Sequence, residues 1–205
     1  MSYLKDFETT WGDPKNTAIT TPDSDVNATV EKYYMVDEPF TYTKTQVWDM
    51  EVKKAHRPDK YIYQYVRQGS LHTFDHRKEG PYEYFTRITA QRTWKNPEEY
   101  DTVIERVCLD HVNQAAFFLG TPEVTLPDGT KVKSGEKQSI FNVEHAVAGT
   151  EENPLNTWRI VYLTNGRDES LIELLKPFQQ DVFLQPYNEV YIREELGRDL
   201  VRKDI

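Results

Sequence analysis

The sequence is short of nearly everything that marks a protein for a special environment. It has one cysteine, Cys108, in 205 residues, so no internal disulfide forms and no Cys-x-x-Cys exists. Glycine and proline are scarce, at 9 and 11 residues, which excludes collagen-like and low-complexity chains. No stretch approaches the ~18 consecutive apolar residues of a membrane span. The N-terminus, with Asp6, Glu8 and Asp13, lacks the basic and then apolar run of a secretory signal. Positive charge is deficient too: 25 Lys and Arg stand against 34 Asp and Glu, a formal net charge of −9. The densest cationic stretch, Lys53-Lys54-Ala55-His56-Arg57, is short and is followed by Pro58-Asp59. With no basic stripe to override the total, nucleic acid is repelled and is not expected as a partner. These absences predict a soluble protein of the reducing cytoplasm that binds neither nucleic acid nor membrane.

The catalytic signatures that can be read by spacing are also missing. There is no Gly-x-Gly-x-x-Gly, no Gly-rich loop followed by Lys, no His-Glu-x-x-His and no Gly-x-Ser-x-Gly. Dinucleotide enzymes, P-loop ATPases, zincins and α/β-hydrolases are disfavoured accordingly. What the chain does have is aromatic mass: 13 Tyr, 9 Phe and 4 Trp, or 13% of residues. Each buries a large apolar area, so the chain is expected to fold despite its charge.

Residues 1–29 are dominated by turn and loop formers, with isolated apolar anchors at Tyr3, Leu4, Phe7 and Trp11, and predict an extended N-terminal arm. Residues 30–205 then form a single α+β domain. Tyr61 to Val66, Leu71 to His76 and Tyr82 to Thr89 are strand-like, the last with a period of two, and Thr41 to Lys53 leans toward strand. A helix is predicted from about Pro97 to Leu119: Asn96 caps it, Pro97 opens it, and Tyr100, Val103, Ile104, Val107, His111, Ala115 and Phe118 recur at three- and four-residue steps. Gly120 supplies its stop. A hairpin follows around Pro127-Asp128-Gly129, then strands over Ser139–Val147 and Thr157–Thr164. Asp168 or Ser170 caps a helix carrying Leu171 to Leu175 and Phe178, ended by Pro177. A last helix runs from Asn188 to Lys203, with i,i+4 pairs Glu194–Arg198 and Asp199–Lys203. The expected fold is a curved antiparallel sheet, or partly open barrel, packed on the 97–119 helix, with short C-terminal helices. Such a layout leaves room for a small-molecule cavity between sheet and helix.

Histidines are the best candidates for chemistry. His145 shares a strand face with Phe141, Val143 and Val147, the apolar face, where a neighbour and burial tune an imidazole for acid–base work. The plainer role is a satisfied core histidine. His111, on the stripe of the 97–119 helix, either meets His145 across the core or merely packs. Tyr63 is a candidate hydroxyl catalyst, and Phe141, Tyr61, Tyr65 and Arg87 are candidate substrate contacts. Arg87 and Glu83 face inward only if Phe85 does; the apolar count of Tyr82, Tyr84 and Ile88 puts both charges in solvent. Cys108, beside an apolar stripe, is read as an inert small hydrophobe. His72 and His76 are four apart, close enough to chelate one metal in a helix but ~13 Å apart in a strand. No cofactor is therefore assigned, although a divalent metal on these histidines stays open.

The sequence thus points first to an enzyme of isomerase, cyclase or lyase type, doing general acid–base chemistry on an apolar or aromatic small molecule. Alternatives are a non-catalytic subunit of a larger complex, assembled through the arm and the C-terminal helix, a metal-dependent enzyme with His ligands, and a simple ligand carrier. A homo-oligomer or a partner subunit is expected.

Overall fold

A computed structural model of the chain describes residues 3–176 and 183–204. Helix α1 (Tyr3–Trp11) leads into β1 (Thr17–Thr20), β2 (Ser24–Asp25), α2 (Val26–Tyr33) and β3 (Tyr34–Val36). Two helices follow, α3 (Lys44–His56) and α4 (Pro58–Tyr61). The strands β4 (His72–Glu79), β5 (Tyr82–Arg92), β6 (Tyr100–Asp110) and β7 (Ala115–Gly120) form a meander, with the small hairpin β8 (Glu123–Thr125) and β9 (Lys131–Lys133) beyond it. The chain continues through β10 (Phe141–Gly149), β11 (Pro154–Tyr162), α5 (Glu169–Leu175), α6 (Pro186–Glu194) and β12 (Leu200–Arg202). One eight-stranded antiparallel sheet has the order β1-β11-β10-β7-β6-β5-β4, with β2 also pairing β11. The sheet is curved and does not close into a barrel, as the sequence led one to expect.

Both faces of its centre are covered. On the concave face Val47 and Met50 of α3 and Val190 and Tyr191 of α6 join Val107, Phe118, Val143 and Ile160 in the main core. On the opposite face Phe7 of α1 packs with Cys108, Phe117, Leu119 and Val161. This double cover explains why β6 and β7 imitate a helix. Val103, Glu105, Val107 and Leu109 are buried on one side, Ile104 and Cys108 on the other, and Arg106 alone between Val103 and Asp110 is exposed. A strand buried on both faces loses its period of two. The predicted 97–119 helix is instead two strands of one hairpin, paired Cys108 to Phe117 and Asp110 to Ala115, with Gln114 at φ 50° in the turn. Asn96 and Pro97 form the β5–β6 turn, where Glu99 donates its backbone N–H to Asn96. Gly120 ends a strand, and a Cβ there would lie 2.4 Å from the Phe141 carbonyl oxygen.

The helix that packs on the sheet is α3, in the segment expected to be a strand. Thr43 and Gln46 form a reciprocal capping box, and Val47, Met50, Glu51, Lys54 and Ala55 fall on its buried side. Tyr61 to Val66 is likewise not a strand: α4 starts at Pro58, ends at Tyr61 and passes into turns, with Val66 making a single bridge to Gln91. The strands at 72–79, 82–92, 141–149 and 154–162, the hairpin about Gly129 and the Asp168 cap of α5 agree with expectation. The last helix stops at Glu194; Gly197 turns the chain (φ 63°) and β12 pairs with β3, so Arg198 bonds Glu38 rather than Glu194. Pro177 and Phe178 lie outside the described residues.

Residues 3–29 are not an extended arm. They form α1, β1, β2 and the first turn of α2, and β1 pairs Ala18 with Val161 and Ile19 with Ile160. Arg159 of β11 holds α1 down: it pairs with Glu8 (2.6 Å) and Glu144, and its guanidinium lies 4.9 Å from the Phe7 ring centroid. Both segments invoked for assembly, the N-terminus and α6, are thus packed within this chain. Phe7→Ala should cost about 3–5 kcal/mol, read as a lower urea midpoint with unchanged slope. A midpoint equal to the unaltered protein's would mean that α1 does not dock.

Candidate functional site

The concave face is too wide for α3 and α6 to fill. Between them remains a cavity of about 120 Å³, against the roughly 10–15 Å³ that admits one water on this measure. Its walls are mostly apolar, with Trp94, Phe118, Phe141, Val143, Trp158 and Ile160 among them. Polar groups enter from two sides: Lys54, His145 and Tyr187 on one, Arg87, Glu105 and Gln91 on the other.

The first group is built around a buried ion pair. Glu51 and Lys54 are three apart on α3, both on its buried side, and their carboxylate and ammonium are in direct contact. Glu51 Oε1 also accepts from Asn156 Nδ2 at 3.0 Å, and Asn156 Oδ1 in turn accepts from Tyr187 Oη at 3.0 Å and Asn188 Nδ2 at 3.2 Å. This network joins α3, β11 and α6. Lys54 Nζ lies 2.7 Å from His145 Nδ1 and 4.0 Å above the centre of the Tyr187 ring. Burial tends to raise the Glu51 carboxyl, but Lys54 and His145 outweigh it and hold it down at about 2. Burial, opposed by Glu51 and aided by the charge of Arg87, lowers the Lys54 ammonium to about 8. His145 is lowered from 6.5 by burial and by the Lys54 charge, so the ring is neutral at pH 7.

His145 Nδ1 faces both the Lys54 ammonium and, at 3.5 Å, Glu51 Oε1, and the nearer ammonium favours one tautomer. An ammonium only donates, so Nδ1 accepts and the neutral ring carries its proton on Nε2. That nitrogen bonds no described residue and is left to the cavity. The ring plane is fixed by stacking on Trp158 (centroids 5.8 Å, 26°) and by the edges of Phe118 and Tyr187. Chemically, His145 is an oriented proton donor whose loss can be made good from Lys54 through Nδ1. Opposite it, Arg87 Nε donates to Glu105 Oε2 at 2.7 Å and Nη1 to the Ala55 carbonyl at 2.9 Å, while the guanidinium covers the Phe118 ring at 4.5 Å.

Of the residues singled out from sequence, His145, Phe141, Tyr65 and Arg87 line this one cavity. Phe85, Arg87 and Glu83 do face inward, against the solvent placement favoured by the apolar count, because Tyr82 and Tyr84 lie on the outer face. Arg87 pairs with Glu105, not Glu83. His111 is elsewhere: it follows β6, accepts from Trp48 Nε1 at 3.2 Å and lies 3.9 Å from Glu83, far from contact with His145. Tyr63 is exposed, and Tyr61 is buried with its hydroxyl bonded to Glu195 at 3.1 Å; neither lines the cavity. His72 pairs across from Ile88 on β4, whereas His76 lies in a bulge and stacks on Phe85. Among the described residues no group of three or more His, Cys, Asp or Glu is placed to hold a metal. No helix among them is long and apolar enough to cross a membrane.

Lys54, Glu51, Trp94, Trp158 and Tyr187 were not singled out. Lys54 entered the sequence reading only as part of the densest cationic stretch, Lys53 to Arg57. The signal that locates it is Thr43-x-x-Gln46: once that capping box opens a helix, Glu51 and Lys54 fall in register with Val47 and Met50.

Removing one member of the buried pair strands the other. Glu51→Gln should destabilise by roughly 3 kcal/mol or more at pH 7, and Glu51→Gln with Lys54→Met should recover most of it; equal losses in both would deny the pair its electrostatic role. The pH dependence has a definite sign. Glu51, held near 2 against 4.5 when free, contributes stability above pH 4.5 that is lost as pH falls toward 2. His145, lowered from 6.5, binds its proton first in the unfolded chain, so stability also falls as pH drops below 6.5. Unfolding midpoints at pH 7, 5 and 3 should therefore decline, with the lower part flattened in Glu51→Gln.

No protein-family model matches the sequence, and no curated protein matches it either. Solved structures do. Ara h 8.0201 superposes with a TM-score of 0.52 over 85% of this chain and 97% of that one, at 8% identity. The Zhui aromatase/cyclase from Streptomyces sp. R1128 gives a TM-score of 0.43 over 87% and 95%, also at 8% identity. An uncharacterized protein from Bacillus thuringiensis gives 0.38 over 81% and 91%, at 17% identity. At such identities likeness speaks to architecture alone, and the chain shares its curved α+β fold with Ara h 8.0201.

Proposed function

We propose that the chain binds a small, mainly apolar or aromatic molecule in the cavity and acts on it by general acid–base catalysis at His145. The reactions in question are of isomerase, cyclase or lyase type: His145 Nε2 donates to a carbonyl or hydroxyl oxygen while the proton leaving the neighbouring carbon passes to water, giving enolisation or loss of water. One observation carries this: an imidazole whose Nδ1 is held by Lys54 at 2.7 Å and whose Nε2 has an apolar cavity before it. Trp158 and Phe118 fix the ring, so orientation is not lost to rotamer freedom. Arg87 and Glu105 supply a second polar wall with no net charge, which suits a neutral ligand with a polar group at each end.

A carrier without turnover is the second reading. It is favoured by Glu51, Lys54, Arg87 and Glu105 all being already paired within the chain, leaving a wall that binds without reacting.

Both readings require binding. The ketone 1-tetralone should quench tryptophan fluorescence through Trp94 and Trp158, and Val143→Trp, which fills the cavity, should weaken its binding at least tenfold. Equal affinity in that variant would place binding elsewhere. Exchange of the α-protons of 1-tetralone in D₂O, followed by NMR, separates enzyme from carrier. Exchange should be accelerated by the protein and fall about 100-fold in His145→Gln, within the range of one acid–base group; the same exchange rate with and without the protein would leave a carrier.

A further inference from the structure

Lys54 is the one lysine among the described residues that is buried, 3% exposed, and it lines the cavity. A solvated lysine gains nothing from such a place, and α3 is already anchored by Val47, Met50 and Ala55. Its amine sits between a carboxylate, an imidazole nitrogen at 2.7 Å and an aromatic face at 4.0 Å, with Arg87 as a second cation across the cavity. Desolvation and a neighbouring cation are the two means by which a protein turns an ammonium into a nucleophilic amine.

Resting on the proposal that the cavity takes an apolar small molecule, we propose that Lys54 is a covalent site, condensing with the carbonyl group of an aldehyde or ketone held there to form an iminium. The balance closes without a co-reactant. Nζ forms a double bond to the carbonyl carbon, the carbon–oxygen bond breaks, and the oxygen leaves as water with two of the three ammonium protons. The third proton stays on nitrogen, so the product carries the same single positive charge beside Glu51, and no new charge is buried. His145 is placed to carry protons between the two atoms, taking them from Nζ at Nδ1 and giving them to the departing oxygen from Nε2. Lowering of the Lys54 ammonium to about 8 supplies amine in the neutral range: about a tenth of it is free at pH 7, against roughly one part in 3,000 for a solvated lysine.

The test is reductive trapping on the whole chain. Protein is mixed with 2-naphthaldehyde, limiting, and sodium cyanoborohydride at pH 7, and the modified lysine is located by peptide mass mapping. Tryptophan quenching by the same aldehyde without reductant reports binding. Labelling should concentrate on Lys54, at least tenfold over any exposed lysine. It should fall about tenfold in His145→Gln, in which the amine remains but the relay is gone. In Lys54→Arg only slow, scattered labelling should remain. Quenching with labels spread over exposed lysines and none at Lys54 would overturn the covalent site while leaving the binding cavity intact. Absence of both quenching and Lys54 labelling would overturn the two together.

Discussion

A carboxylate and an ammonium buried side by side on one helix set the terms for the rest of this molecule. The cost of taking Glu51 and Lys54 out of water is offset by their contact with each other and by further hydrogen-bond partners. Those partners come from distant segments: His145 from β10, Asn156 from β11, Tyr187 from α6. The pair therefore specifies how α3 seats on the sheet and where α6 closes over it. An apolar pair of equal volume would tolerate sliding; hydrogen bonds at 2.7 to 3.0 Å do not.

The cavity follows from the same geometry. A curved sheet of this width offers more concave surface than two helices cover, and the uncovered part is lined from β5, β10 and β11 among other strands. Aromatic side chains span the gap without filling it. On its rim Lys54 is paired with Glu51 and Arg87 with Glu105, and His145 lines the same space. The outer face, by contrast, is ordinary packing: α1 shields Phe117 and Leu119, and Arg159 clamps it through Glu8 and Glu144.

How much of this was legible in the sequence depended on how many faces of each segment are buried. Tyr82 to Thr89 and Phe141 to Val147 alternate because their two sides meet different surroundings, and both were read as strands. From that alternation His145, Phe141 and Val143 were placed on the inward face, where the cavity is. β6 and β7 are apolar on both sides, and their run of Val, Ile, Leu and Phe fits a helix stripe as well as a hairpin. Thr41 to Lys53 failed in the opposite sense: Tyr42, Lys44 and Gln46 alternate with Thr43, Thr45 and Val47 over a few residues, and only the Thr43–Gln46 capping box identifies the helix. The N-terminal segment has too few apolar residues to show any period, yet Phe7, buried against the sheet and flanked by Arg159, docks α1.

By itself the sequence determined the fold class, the alternating strands, the turn at Gly129, a cap at Asp168 or Ser170 and the inward direction of His145. All are consequences of nearest-neighbour chemistry: side-chain alternation, backbone freedom at glycine, and a cap bonding its own helix. Only the tertiary structure decided that Lys54 is buried, that Arg87 answers Glu105 rather than Glu83, that His111 is remote from His145, and that the N-terminal segment belongs to the sheet. Each of those depends on contacts between residues far apart in the chain, whose partners are set by how the sheet curves and not by any local pattern.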